Sequence, residues 1–108
     1  MKRLFIYGSL QPGGPNEHIL ADVDGQWLPA VVMGRLVDKG WGASMGFPGL
    51  VIDAAGTAIE GYVLSAENLG DKWAELDAFE GEEYERVVTV ARLSNGNEIE
   101  TFVYALSG

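Results

Sequence analysis

Five carboxylates crowd the segment Leu76-Asp77-Ala78-Phe79-Glu80-Gly81-Glu82-Glu83-Tyr84-Glu85-Arg86, and Glu80 stands where a helix is expected to end. A helix C-terminus carries partial negative charge, and Glu82 and Glu83 add more, so the proton affinity of Glu80 rises if it is also partly buried. A carboxyl group of raised pKa can accept a proton and return it near neutral pH, which is general acid/base chemistry. The same cluster also reads as a solvated acidic surface at a helix end, and from this segment alone that reading is favoured. Past Glu80, Arg86 falls on a strand, on the same face as Tyr84. Arg86 can simply pair with a carboxylate; Tyr84 can pack its ring and offer a hydroxyl.

A second candidate lies near the N-terminus, where the strand-like run Leu4-Phe5-Ile6 breaks into Tyr7-Gly8-Ser9-Leu10. Such a turn exposes backbone N–H groups at a strand end. Gly8 can take backbone angles that a side chain would forbid and Ser9 adds a hydroxyl, so the turn can hold a small anionic group. A purely structural turn is the commoner use of such a sequence.

Other chemistries find little support. Cysteine is absent, which removes thiolate nucleophiles, disulfides and cysteine-bound zinc. His18, the single histidine, neighbours Ile19 and Leu20 in a short expected helix, so neither a Ser-His-Asp triad nor a histidine metal site is expected. Gly13-Gly14 leads into Pro15 rather than Gly-Lys-Ser, so no phosphate-binding loop is present.

These residues have to be positioned by a mostly β chain. Residues 2–7 read as a buried strand, followed by the Pro/Gly-rich loop 11–16. Asn16 is a candidate cap for a brief helix over 17–21. The run 27–37 predicts a long bent strand with a bulge or close approach at Gly34. The loop from Gly40 to Gly49, with Trp41 and Phe47, reads equally as a packed surface loop and as a ligand cover. Residues 50–52 and 57–64 predict two strands able to form a hairpin across Asp53-Ala54-Ala55-Gly56. Ser65 then reads as the cap of a helix with Leu69, Trp73, Leu76 and Phe79 on one face, ended by a left-handed Gly81. Residues 84–93 and 98–106 predict a hairpin around Asn95-Gly96. The sum is an α+β fold: a small, partly closed mixed β-barrel of about six strands with one main flanking helix.

The chain has 108 residues, 47% hydrophobic and 21% charged, which predicts one globular domain over 1–108 with a core that needs no metal or disulfide. With 7 basic and 16 acidic residues its net charge of -9 disfavours nucleic acid and acidic membrane surfaces. The apolar run after Lys2 and Arg3 is too short for a signal-peptide core, and no run approaches the roughly 20 residues of a membrane span. A cytoplasmic location is therefore the expectation.

Taken together, Phe5-Ile6-Tyr7-Gly8-Ser9-Leu10 with Pro12-Gly13, Phe47-Pro48-Gly49-Leu50, Glu60-Gly61-Tyr62-Val63-Leu64, and Leu76-Asp77-Ala78-Phe79-Glu80-Gly81 with Tyr84 and Arg86 resemble the γ-glutamylcyclotransferase-like family, including its γ-glutamylamine cyclotransferase and avirulence-induced (AIG2-like) branches. The resemblance runs nearly end to end and implies a small mixed barrel with flanking helices. It implies that Tyr7, Gly8, Ser9 and Leu10, with Tyr84 and Arg86, line the pocket for a γ-glutamyl head group, and that Glu80 is the catalytic acid/base. The implied reaction closes the substrate α-amine onto its own γ-carbonyl, giving 5-oxoproline and a free amine, with no metal or cofactor. Relatives differ in the amine released, and the Gly40–Phe47 loop is expected to frame that side. The alternative is a module that binds a small carboxylated metabolite in the same pocket without turnover.

Overall fold

The uninterrupted apolar run Leu4-Phe5-Ile6 becomes the strand around which the fold is arranged. The structure, a computed structural model, describes residues 2–8, 10–38 and 49–106. In it the strands are β1 (Lys2–Ile6), β2 (Gln26–Val37), β3 (Gly49–Ile52), β4 (Thr57–Ala66), β5 (Tyr84–Leu93) and β6 (Glu98–Leu106), with one α-helix, α1 (Trp73–Glu80). Strands β2, β4, β1, β6 and β5 are neighbours in that order. β5 returns to β2 through Ala30 opposite Leu93 and Val31 opposite Arg92, closing a five-stranded barrel with β3 as an extra strand on β2. β1 runs parallel to β6 and antiparallel to β4, so the barrel is mixed, as expected.

Because successive side chains of a strand point to opposite faces, the wall feeds two apolar layers. Phe5, Val32, Leu50, Val63 and Val103 fill the barrel interior. Leu4, Ile6, Leu64 and Tyr104 face outward, where they meet Leu69 and Leu76 from the helical segment. Burial on both faces is why β1 reads as a continuous apolar run instead of alternating with polar residues.

The helical segment begins differently from the sequence expectation. Ser65 does not cap it: Ser65 is still inside β4, paired with Arg3 on one side and Gln26 on the other. Two neighbouring strands outcompete a local cap, and the chain leaves β4 only at Ala66, passing through a 3-10 turn over Glu67–Lys72 before α1. The expected apolar face nonetheless forms, with Leu69 and Leu76 fully buried and Trp73 and Phe79 packed against the same cluster. Near the N-terminus, Glu17–Leu20 is likewise a 3-10 turn. No Asn16 side-chain cap holds it; instead the Glu17 carboxylate accepts the Gly13 N–H at 2.6 Å.

Residues 50–52 and 57–64 do not form the expected hairpin. β3 and β4 both pair antiparallel with β2, and Gly34 lies opposite both Ile52 and Thr57. The twelve-residue β2 is long enough for both partners. The intervening turn, in which the Asp53 carboxylate accepts the Ala55 N–H at 2.9 Å, offsets the chain without reversing it. Gly34 makes the expected close approach: a Cβ there would stand 2.6 Å from the Val51 carbonyl oxygen.

The β5–β6 hairpin forms where Asn95-Gly96 places it, with Leu93 N–H bonded to the Asn97 carbonyl at 2.8 Å. Gly96 has φ +90°, while no described non-glycine residue has positive φ. Asn95 therefore does not adopt a type I′ geometry, and the loop is the three-residue kind with one glycine-specific position. Gly96→Ala is expected to lower stability by about 1 kcal/mol from backbone strain alone, read as a lower urea midpoint with unchanged slope.

Candidate active site

β1 ends at Ile6 and delivers Tyr7 to the rim of the barrel, its ring stacked on Phe5 at 6.2 Å between centroids. The Tyr7 hydroxyl donates to the Tyr104 carbonyl at 2.8 Å and accepts the Leu50 N–H at 3.0 Å. One oxygen thus ties β1 to β6 and β3. Burial pushes the phenol well above its usual range, partly offset by the Leu50 N–H, and the negative charges of Glu80 and Tyr84 add to the rise. Tyr7 stays neutral, with its proton committed to Tyr104 and one lone pair open to a donor. Tyr7→Phe is expected to cost about 2 kcal/mol by orphaning a buried N–H and carbonyl, measurable in urea melts.

Beyond Tyr7 the chain turns tightly. The Gly8 carbonyl accepts both the backbone N–H and the side-chain amide of Gln11, each at 3.1 Å. Gly8 differs from expectation in one respect: its φ is not positive. As the first residue of this turn it needs no special backbone angle, and the absent Cβ instead leaves open space beside the chain. Leu10 turns its side chain into the outer apolar layer, anchoring the turn rather than lining its surface. Ser9 and the Gly40–Phe47 loop lie outside the described residues.

Glu80 is the last residue of α1, half-buried. Burial raises its carboxyl from the ordinary 4.5 to about 7. Desolvation is the cause, and burial is the condition that the sequence reading attached to the rise. Gly81 ends the helix with φ +82° and ψ -172°, an extended glycine-only conformation in place of the left-handed helical one, and its N–H still reaches the Asp77 carbonyl at 3.0 Å. This abrupt exit turns the chain directly into β5.

The fold brings Glu80, Tyr7, Tyr84 and Tyr104 into one electrostatic neighbourhood, since the Glu80 charge raises both Tyr7 and Tyr104. Tyr84 and Arg86, on alternate positions of β5, line a cavity of about 330 Å³ with Asp77, Gly81, Glu85 and Tyr104. The Arg86 guanidinium lies 4.4 Å over the Trp73 ring and 5.6 Å over Phe102, and pairs with Asp77 Oδ2 at 3.7 Å. Tyr104 donates its hydroxyl to Asp77 Oδ1 at 2.6 Å. Asp77 and Tyr104 carried no role in the sequence reading. The available signals were the spacing of Asp77 three residues before Glu80 on one helix face, and the need of a buried tyrosine hydroxyl for a partner. His18 is exposed. Among the described residues no cluster of His, Cys, Asp or Glu is arranged to hold a metal, and no helix is long and apolar enough to cross a membrane.

A family model described as gamma-glutamyl cyclotransferase, AIG2-like, matches residues 4–108. The chain belongs to this family. Three solved structures share the AIG2-like fold with it. An AIG2-like protein from Mus musculus superposes with a TM-score of 0.78 at 22% identity, covering 99% of this chain and 78% of that one. A protein from Arabidopsis thaliana gives 0.71 at 28% identity over 97% and 68%. YkqA from Bacillus subtilis gives 0.73 at 24% identity over 98% of this chain. This AIG2-like chain spans only 36% of YkqA. No curated protein sequence matches it.

Proposed function

We propose that this AIG2-like chain is a γ-glutamylcyclotransferase that converts a γ-glutamyl amine or peptide into 5-oxoproline and the free amine, with Glu80 as acid/base. The observation that carries the reading is a half-buried carboxyl raised to about 7 at the end of α1, electrostatically coupled to the Tyr7 hydroxyl at the end of β1. Family membership supplies the reaction class.

The substrate's α-nitrogen and γ-carbonyl already belong to one molecule, so holding the bent conformer supplies most of the advantage and proton movement the rest. Ionised Glu80 takes a proton from the α-ammonium, and the amine attacks the γ-carbon to form a five-membered tetrahedral intermediate. The bond from that carbon to the departing nitrogen then breaks. Two protons leave the attacking nitrogen and both end on the departing amine, carried in turn by Glu80. A carboxyl titrating near 7 is suited to each direction of transfer. The Tyr7–Leu10 turn binds the glutamyl head group, its backbone N–H groups facing the α-carboxylate or the developing oxyanion. Tyr84 borders the same site from β5. Tyr7 adds an acceptor lone pair for the α-ammonium.

The test is incubation with a panel of γ-glutamyl amino acids, amines and peptides, read as 5-oxoproline released. Turnover of at least one member is expected. Saturable binding with no 5-oxoproline from any member would overturn the enzymatic reading in favour of a metabolite-binding module.

A further inference from the structure

Arg86 comes from β5 yet grips α1 at two places one turn apart. Its guanidinium face covers Trp73, at the start of the helix, and its edge reaches Asp77. Phe102 on β6 closes the other side, 5.3 Å from the Trp73 ring in an edge-on contact. Tyr104, two residues further along β6, holds the remaining Asp77 oxygen at 2.6 Å. A planar fork that stacks and pairs at once is a use that arginine serves and lysine does not. The faces of the guanidinium are covered by the two rings and one edge is turned to Asp77, while its buried Nη1 has no acceptor among the described residues. Tyr104 is held at both ends: its hydroxyl bonds Asp77, and its backbone carbonyl accepts the Tyr7 hydroxyl, which in turn accepts the Leu50 N–H.

Glu80 sits one turn beyond Asp77 on the same helix, followed by the glycine that ends it. The Gly81 N–H closes that turn by bonding back to the Asp77 carbonyl, so the position of Asp77 bears on the turn that carries Glu80. Resting on the reading of Glu80 as acid/base, we propose that Arg86, Asp77 and Tyr104 are positioning residues. Together they clamp α1 at Trp73 and Asp77 to β5 and β6, one turn short of Glu80, and so set where the Glu80 carboxyl stands. Arg86 on this account acts through Asp77 and the helix, not by touching substrate. The Glu80 charge acts on the Tyr7 and Tyr104 hydroxyls, and the titratable groups nearest on the neighbouring elements are Tyr84, Glu85 and Arg86 of β5 and Asp77 of α1, which line one cavity with Tyr104.

The experiment combines a carboxyl-detected NMR titration of Glu80 with steady-state kinetics on Tyr104→Phe and Arg86→Lys. The unsubstituted protein should titrate at about 7. Each variant is expected to remain folded and to lower that midpoint by about one pH unit, because a loosened helix end admits water. Each should also lower kcat about tenfold with KM held within about twofold. A Glu80 midpoint unmoved in both variants would overturn the clamp. So would an Arg86→Lys enzyme whose KM rises while kcat holds, since that pattern marks a substrate contact. Should either variant fail to fold, Asp77→Asn removes the charge that both partners hold and is read the same way. The titration needs no substrate, so a chain without turnover would sink the acid/base reading and leave the clamp to be decided by NMR.

Discussion

Glu80→Gln is expected to lower the rate of 5-oxoproline release by about a thousandfold while leaving substrate binding nearly unchanged, because glutamine keeps the size and polarity of the side chain and cannot carry a proton. The rest of the pocket, including the Tyr7 bonds to Tyr104 and Leu50, is untouched by the substitution. Ring closure retains the benefit of a held conformer, so residual turnover above the uncatalysed rate should persist. For the unsubstituted enzyme kcat/KM should rise with pH and level off above about 7, as the carboxyl ionises into its basic form. The variant should lack that rise. A Glu80→Gln enzyme within about twofold of the parent would end the assigned role, whatever its pH profile.

The same substitution should stabilise the protein above neutral pH. Glu80 titrates at about 7 folded against 4.5 as an ordinary carboxyl. Below 4.5 both states are protonated and the site imposes no cost. Between 4.5 and 7 the folded state keeps a proton that the unfolded state has released, so stability falls as pH rises. Above 7 the charged group is buried at a cost of about 3 kcal/mol. Glutamine avoids this cost, so the variant should match the parent near pH 4 and exceed it by about 3 kcal/mol at pH 8, roughly 10 °C or more in Tm. Urea melts at several pH values decide it: a stability difference that does not change with pH, or a variant less stable at pH 8, contradicts a desolvated carboxyl at this position. Loss of activity together with gain of stability is the pattern of a group kept for chemistry.

Much of the frame was legible from local pattern. The Leu4–Ile6 run, the Asn95-Gly96 turn and the Leu69–Trp73–Leu76–Phe79 face each report a choice made by a few adjacent residues, and each appears in the fold. The errors fall where distant strands intervened. Ser65 would cap a helix in isolation but is held between Arg3 and Gln26, and β3 joins β2 because a long strand offers more partners than a neighbouring segment does. Tertiary pairing outweighs local preferences worth about 1 kcal/mol.

For the candidate site the division is sharper. The sequence alone determined the available chemistry: carboxylates and hydroxyls, one histidine, no thiol, and the Tyr-Gly-Ser and Phe-Glu-Gly segments that carry the family resemblance. It also singled out Glu80 and made its raised proton affinity depend on burial, which charge count along a chain does not show. Tertiary structure decided the rest. It set the Glu80 charge to act on the Tyr7 hydroxyl, buried the carboxyl enough to raise it to about 7, and brought Arg86 of β5 and Tyr104 of β6 onto Asp77 of the helix that bears it. Burial and side-chain contact depend on what the rest of the chain places nearby, and no local spacing encodes that.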